Sequence, residues 1–400
     1  MRTPALLALA VATAASCGQS PAAGPAAAPA PGAASLSPDA ESRWVPFELT
    51  PGNQVRFTLT LDGRPLSAIL DTGVSVTVLS RKSAAVDAAK LRPGGQATAI
   101  GGQVAIEWMP TRRIAMGGLT LSGASVAVTA LPALATGSGE AVDLLVGRDL
   151  IGAHALDLDY ANQRFRLLPS GRLPFTGPVA PLRISPERQV YESAVMLGGR
   201  TVKPVIVDTG DGSAITVTQA NWAAAGLGKL PATSAIAYGL AGPAVTTLAI
   251  APEVTVGTLR AQSVEIRAEG PGGFSQAVGA GGRIGSGFLQ RYRVLLDPAA
   301  GRMVFQPGPA TNRPPLRSTS GLLLGLERDR LRVLHVMANG PAAAAGWKDG
   351  ELICAVDGAT VTRDYAASPQ SRWTAGAPGT TVRLRLCNGQ ERTLTLARFY

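Results

Sequence analysis

Two stretches of this chain end an apolar run in the same tripeptide: AILDTGVSVTVLS, from Ala68 to Ser80, and PVIVDTGDGSAITVT, from Pro204 to Thr218. A carboxylate gains nothing from burial unless something pairs with it, so its placement twice, at Asp71 and Asp208, 137 residues apart, needs a reason. The flanks repeat as well. QVRFTLTLDGRPLSAILDTG (Gln54–Gly73) alternates polar and apolar residues, turns at Asp62-Gly63 and runs into the tripeptide; YESAVMLGGRTVKPVIVDTG (Tyr191–Gly210) does the same around Gly198-Gly199. Period-two alternation broken by a glycine turn predicts a β-hairpin. Downstream, LVGRDLIGAHALDLDYANQRFRL (Leu145–Leu167) matches RIGSGFLQRYRVLLDPAAGRMVF (Arg283–Phe305). Gly147 aligns with Gly285, Asp159 with Asp297 and Arg164 with Arg302, all at a spacing of 138. The extra residue lies after the second tripeptide, where Asp211-Gly212-Ser213 fills the space of Val74-Ser75 and brings Ser75 into line with Ser213. The chain therefore holds two copies of one β-rich unit.

Composition narrows the chemistry. With 46% hydrophobic and 16% charged residues in a chain of 400, there is material for large cores. The 47 Gly and 30 Pro punctuate strand-like runs and favour a β protein. The net charge is +10, yet the basic residues are scattered and form no run longer than a pair, so no nucleic-acid partner is expected. Three Cys without a C-x-x-C, and two distant His (His154 and His335), supply neither a zinc site nor a Ser-His-Asp triad. There is no G-x-S-x-G and no Walker loop. No metal and no cofactor is expected.

Two carboxyls on tight Thr-Gly turns can be brought into contact. Like charges that close cannot both ionise, so the pair shares one proton. The ionised member then takes a proton from water while the protonated member polarises a carbonyl. That is general acid–base amide hydrolysis without a covalent intermediate.

AILDTGVSVTVLS with LLVGRDL, and VIVDTGDGSAIT with RIGSGFL, resemble the aspartic peptidases of the retropepsin-like kind. The resemblance covers Pro46–Gly308 and implies a mainly β fold: two tandem retropepsin-like acid-protease lobes, at 46–170 and 180–308, forming a single-chain pepsin-like pseudo-dimer. It implies an endopeptidase acting on peptide or protein substrates, with Asp71 and Asp208 as the catalytic dyad. Thr72 and Thr209 would grip each other through their hydroxyls, and Gly73 and Gly210 would close each loop. Val146-Gly147 and Ile284-Gly285 would pack beneath. After the tripeptide, where the family commonly carries Ala, Ser or Thr, this chain has Val74 and Asp211. Val74 has no donor and Asp211 adds charge, so the pair's pKa values should rise and the optimum should be weakly acidic to neutral; Ser75 or Ser213 is an alternative donor. Arg148-Asp149 suggests a local salt bridge. Covering flaps are expected at Ala97–Trp108 and Ala235–Thr247, with Tyr238 near a tip. The alternative reading is a non-catalytic peptide-binding scaffold on the same lobes, and lobes that pair between chains are a third.

The ends carry other signals. Residues 1–17 read as an export signal, with Arg2, an apolar Ala5–Ala14 segment and small residues. Ala14-Ala15-Ser16-Cys17 resembles a bacterial lipobox, implying lipidation at Cys17 and membrane anchoring; cleavage near Ser16 would instead release a soluble exported protein. Either way the chain is expected outside the cytoplasm, periplasmic or anchored facing the periplasm. Residues 18–45 are a Pro/Ala-rich linker, and 309–319 lie in a second one. Within 320–400, GPAAAAGWKDGELICAVDG resembles a PDZ domain, a small α+β unit, with Trp347 in the usual aliphatic place and Glu351 in the usual Asp place. The resemblance implies that loop amides around Gly321, Leu322, Leu323 and Leu324 hold free peptide C-termini. For Cys354 and Cys387, a disulfide and two buried thiols both remain open; His335, in an apolar strand, is expected to be packed.

Overall fold

The structure, a computed structural model, describes residue 29, residues 32–136 and residues 141–400. The expected export signal, Cys17 and residues 18–28, 30 and 31 of the expected Pro/Ala-rich linker lie outside the described residues. The chain is mainly β and forms four sheets among those residues.

In the first half the alternation of Val55–Leu61 turns Val55, Phe57, Leu59 and Leu61 inward. The turn into Arg64–Leu70 has positive φ at both central residues, 49° at Asp62 and 86° at Gly63, as a two-residue hairpin needs to match strand twist. In the second half Tyr191–Leu197 and Arg200–Asp208 turn through Gly198 and Gly199 in the same way.

Each second strand has a parallel neighbour from far downstream. Leu144–Val146 lies beside Ala68–Leu70, and Gly282–Gly285 lies beside Val205–Asp208. Each neighbour also pairs antiparallel with the strand that follows the tripeptide, Val78–Ser80 or Ile215–Thr218. The repeat in sequence is thus a repeat in space.

A six-stranded sheet joins the halves. At its middle Ala155–Asp159 runs antiparallel to Tyr292–Asp297, with Leu158 opposite Val294. The Asp and Arg residues spaced by 138 land in equivalent places: Asp159 faces Arg164 at 3.2 Å and Asp297 faces Arg302 at 3.9 Å. One hydrophobic core runs through both halves, from Val45 to Phe305.

Two boundaries differ from those expected from composition. Ala33–Leu36, inside the expected linker, pairs with Leu119–Ser122, and Ala40 is buried. Edge pairing needs only backbone groups, so small residues suffice there. The second expected linker does not separate the C-terminal unit from the rest. Thr311 binds back, its Oγ1 donating to the Arg291 carbonyl (2.8 Å). The C-terminal sheet, with its own core around Val333, Trp347, Ile353 and Leu384, is hydrogen-bonded to the strand Ala232–Gly239. Thr233 Oγ1 donates to the Ala338 carbonyl (2.6 Å), the Ala338 N–H donates to Ser234 Oγ (2.9 Å), and Ser234 Oγ lies 2.8 Å from His335 Nε2. His335 is buried as expected, but against Ser234 of the second half. Cys354 and Cys387 form a disulfide. Trp347 is covered by the Arg392 guanidinium at 4.1 Å, which pairs with Glu351 at 3.0 Å.

Leu158 is fully buried in the joining sheet. Leu158→Ala should therefore cost about 3 kcal/mol, seen as a lower urea midpoint in equilibrium unfolding.

Candidate active site

The two tripeptides meet at the centre through their threonines. Thr72 and Thr209 are fully buried. The Thr72 N–H donates to Thr209 Oγ1 and the Thr209 N–H donates to Thr72 Oγ1, both at 3.0 Å. Each hydroxyl then donates onward to the carbonyl two residues before the opposing threonine: Thr72 Oγ1 to Val207 and Thr209 Oγ1 to Leu70, both at 2.7 Å. Four buried hydrogen bonds, at about 1 kcal/mol each, lock the strand ends together.

This lock fixes the carboxyls. Asp71 Oδ1 accepts the Gly73 N–H and Asp208 Oδ1 accepts the Gly210 N–H, each at 3.0 Å. The Asp71 and Asp208 carboxyls lie close enough that each acts on the protonation of the other. A Cβ on Gly73 would lie 2.3 Å from the Asp208 carboxyl carbon, and one on Gly210 would lie 2.3 Å from that of Asp71. Glycine is required at both positions by the opposing carboxyl.

The pair is not symmetric. In the first half the residue after the tripeptide, Val74, packs with Leu145 in an apolar cluster. In the second half the corresponding residues are Asp211 and Arg283. Arg283 is almost fully buried, with Nε 2.8 Å from Asp211 and 3.8 Å from Asp208. Its Nη1 is 2.5 Å from Glu269 and donates to Ser275 Oγ at 2.9 Å. Burial pushes Asp71 well above the usual carboxylate range, helped by the Asp208 charge. Burial and the Asp211 charge push Asp208 up to about 6, while Arg283 pulls it back down. Burial also acts on Asp211, but Arg283 and hydrogen bonds outweigh it and hold Asp211 below its ordinary value. Asp71 therefore keeps the shared proton and Asp208 is the member that ionises first.

Two hairpins roof this floor. Arg92–Ala99 with Gly102–Pro110, and Ala232–Gly239 with Gly242–Val256, correspond to the expected flaps. Their tips touch: the Ala241 N–H donates to the Ile100 carbonyl at 3.2 Å, and a Cβ on Gly239 would strike that oxygen at 2.2 Å. Beneath lies a cleft of about 410 Å³ with Asp71 and Asp208 on its floor, and Ile100, Ile106, Tyr238 and Leu240 among its walls.

Other expected residues fall differently. Ser75 lines the cleft. The Ser213 hydroxyl pairs with Thr216 Oγ1 at 2.8 Å, so it is engaged away from the carboxyls. Arg148 and Asp149 do not pair, because adjacent residues at a helix start diverge. Arg148 donates to Gln189 and Asp149 accepts from Thr77 Oγ1. In the C-terminal loop the Gly321 N–H donates to Ser318 Oγ and the Leu322 N–H to Ser320 Oγ, both at 3.0 Å, so two amides expected for a carboxylate are already paired. Leu324 pairs with Val333 in the sheet, and Leu323 is partly exposed. Sequence reasoning passed over Arg283, although a charged residue facing Leu145 in the repeat was a readable signal. It also passed over Gln54, which lines the cleft and whose Nε2 donates to the Gly210 carbonyl at 2.6 Å.

Residues 57–150 match the family model of aspartyl proteases, a region that contains Asp71 but not Asp208. This first-half region is aspartic-peptidase-like. No curated protein matches the chain.

A group with a raised folded pKa contributes stability below its unfolded pKa and loses it as pH rises toward the folded value. Asp71 is such a group, its unfolded pKa being about 3.9. Asp71→Asn has no proton to lose. Its Tm relative to wild type should rise between pH 4 and pH 7, and a constant difference across that range would show that Asp71 is ionised in the fold.

Proposed function

We propose that the chain is an aspartic endopeptidase whose dyad is Asp71 and Asp208, built from two lobes in one chain as in a pepsin-like pseudo-dimer. The observation that carries this reading is the pair of carboxyls, each set against the opposing glycine, on the floor of a roofed, largely apolar cleft. The aspartyl protease match of residues 57–150 supports the class of chemistry.

In this mechanism a peptide lies extended between the flaps and the dyad. Ionised Asp208 takes a proton from water as the water oxygen bonds to the scissile carbonyl carbon. Asp71 gives its proton to the carbonyl oxygen, producing a neutral diol. The C–N bond then breaks as Asp208 passes its proton to the leaving nitrogen, and a diol hydroxyl returns a proton to Asp71. Both carboxyls end in their starting states. Thr72, Thr209, Gly73 and Gly210 are positioning residues that hold the pair in contact.

The C-terminal unit we read as PDZ-like, taking free peptide C-termini. The hydroxyls of Ser318 and Ser320 would have to release their amides for the loop to bind a carboxylate. The Cys354–Cys387 disulfide supports an oxidising location and hence export. Lipidation at Cys17 belongs to the same reading.

Asp71→Asn and Asp208→Asn should each lower kcat/KM for peptide cleavage by roughly a thousandfold or more, and the double variant should lose no more than either, since the pair acts as one unit. Near-normal cleavage by either single variant would overturn the assignment of Asp71 and Asp208 as the dyad, whereas no cleavage by the wild type would leave the scaffold reading in its place.

The acid limb of the kcat/KM profile should lie near pH 6, where Asp208 gains its second-state proton and the base is lost. Asp211→Asn removes a charge that raises Asp208 and frees Arg283 to act on it. The limb should move to lower pH by about one unit, and an unmoved limb would separate Asp211 from the dyad.

A further inference from the structure

A second cavity, of about 410 Å³, adjoins the cleft. The two share walls: Gln54, Ile100, Ala135, Gly210, Asp211 and Tyr238 line both. The far side of the second cavity is made by the C-terminal unit, through Leu322, Leu323, Thr374 and Tyr400 among others. This arrangement is held in place by the hydrogen bonds from Thr233 and Ser234 to Ala338 and His335, on the same strand whose tip roofs the cleft.

Two features mark the second cavity as a binding surface. The first is Gln54, which is 7% exposed and sits where the cavities meet. Its Nε2 is fixed by two carbonyls, Gly210 at 2.6 Å and Ala135 at 3.3 Å, so the amide orientation is determined. Its Oε1 is then a buried acceptor without a partner. A buried acceptor left empty costs about 1–3 kcal/mol, and a passing peptide N–H is the donor that would satisfy it. The second feature is apolar exposure: Leu316 is 84% exposed and Leu323 is 40% exposed, and both line this cavity.

We propose that the second cavity extends the substrate site, and that its occupant is the continuation of the same extended polypeptide that lies over the dyad. Gln54 Oε1 accepts a backbone N–H as the chain crosses from one cavity to the other. Leu316 and Leu323 take an apolar side chain of the polypeptide. The C-terminal unit is thereby a wall of the substrate site, and the preferred substrate is a long unfolded segment. This rests on the reading of the cleft as a polypeptide site.

Equilibrium binding to the full chain carrying Asp71→Asn tests it without turnover. The probes are dye-labelled peptides followed by fluorescence anisotropy: one of about six residues, roughly 20 Å extended, and two versions lengthened by about six apolar-rich residues at either end. Lengthening at one end should tighten binding about tenfold. In the Leu316→Ser, Leu323→Ser double variant that gain should fall to about twofold or less. No gain at either end, or a gain that survives in the double variant, overturns the proposal. Cleavage by the wild type is measured separately, so an inactive protein that shows the length-dependent gain would refute the peptidase reading and not the extended site.

Discussion

Two threonine hydroxyls at the centre of the molecule each accept a backbone N–H from the opposite half and donate to one of its carbonyls. The placement of the two carboxyls follows from how close this brings the two strand ends. It sets the carboxyls of Asp71 and Asp208 against the opposing glycine Cα atoms, where no other residue fits. Two full charges about 4 Å apart repel by roughly 4 kcal/mol at an effective dielectric near 20. That is as large as the whole threonine lock, so the pair cannot hold two charges and keeps a proton.

The lock is symmetric and its surroundings are not. Val74 and Leu145 give Asp71 an apolar neighbourhood, whereas Asp211 and Arg283 give Asp208 a charged one. Arg283 is satisfied by Asp211, Glu269 and Ser275, which is why a guanidinium is tolerated so deep. Its 3.8 Å approach to Asp208 biases which carboxyl holds the proton. A pseudo-symmetric pair thereby becomes chemically unequal.

The roof ties the site to the rest of the chain. The strand Ala232–Gly239 has its tip over the cleft and its other end bonded to Ala338 and His335 of the C-terminal unit. A movement of that hairpin must break or carry those bonds.

Much of this was legible in the residues. The alternation in Val55–Leu61, the Asp62-Gly63 turn and the 137- and 138-residue spacings identify two β units and nominate Asp71 and Asp208, because hairpin periodicity and repeats are local or one-dimensional signals. The Thr-Gly following each Asp pointed to a tight turn. What the residues alone did not settle depends on which distant groups meet. The pairing of Ala33–Leu36 at a sheet edge uses backbone groups and leaves little trace in side chains. Ser213 turns to Thr216, and Arg148 parts from Asp149, because local geometry aims each side chain. The Asp211–Arg283 contact spans 72 residues, and the seating of His335 against Ser234 spans 101. Sequence by itself determined the repeated strands and the two carboxyl-bearing turns. Only tertiary structure decided that the turns interlock, that one carboxyl faces an arginine, and that the C-terminal unit closes against the flap, since burial and charge pairing depend on neighbours that folding alone brings together.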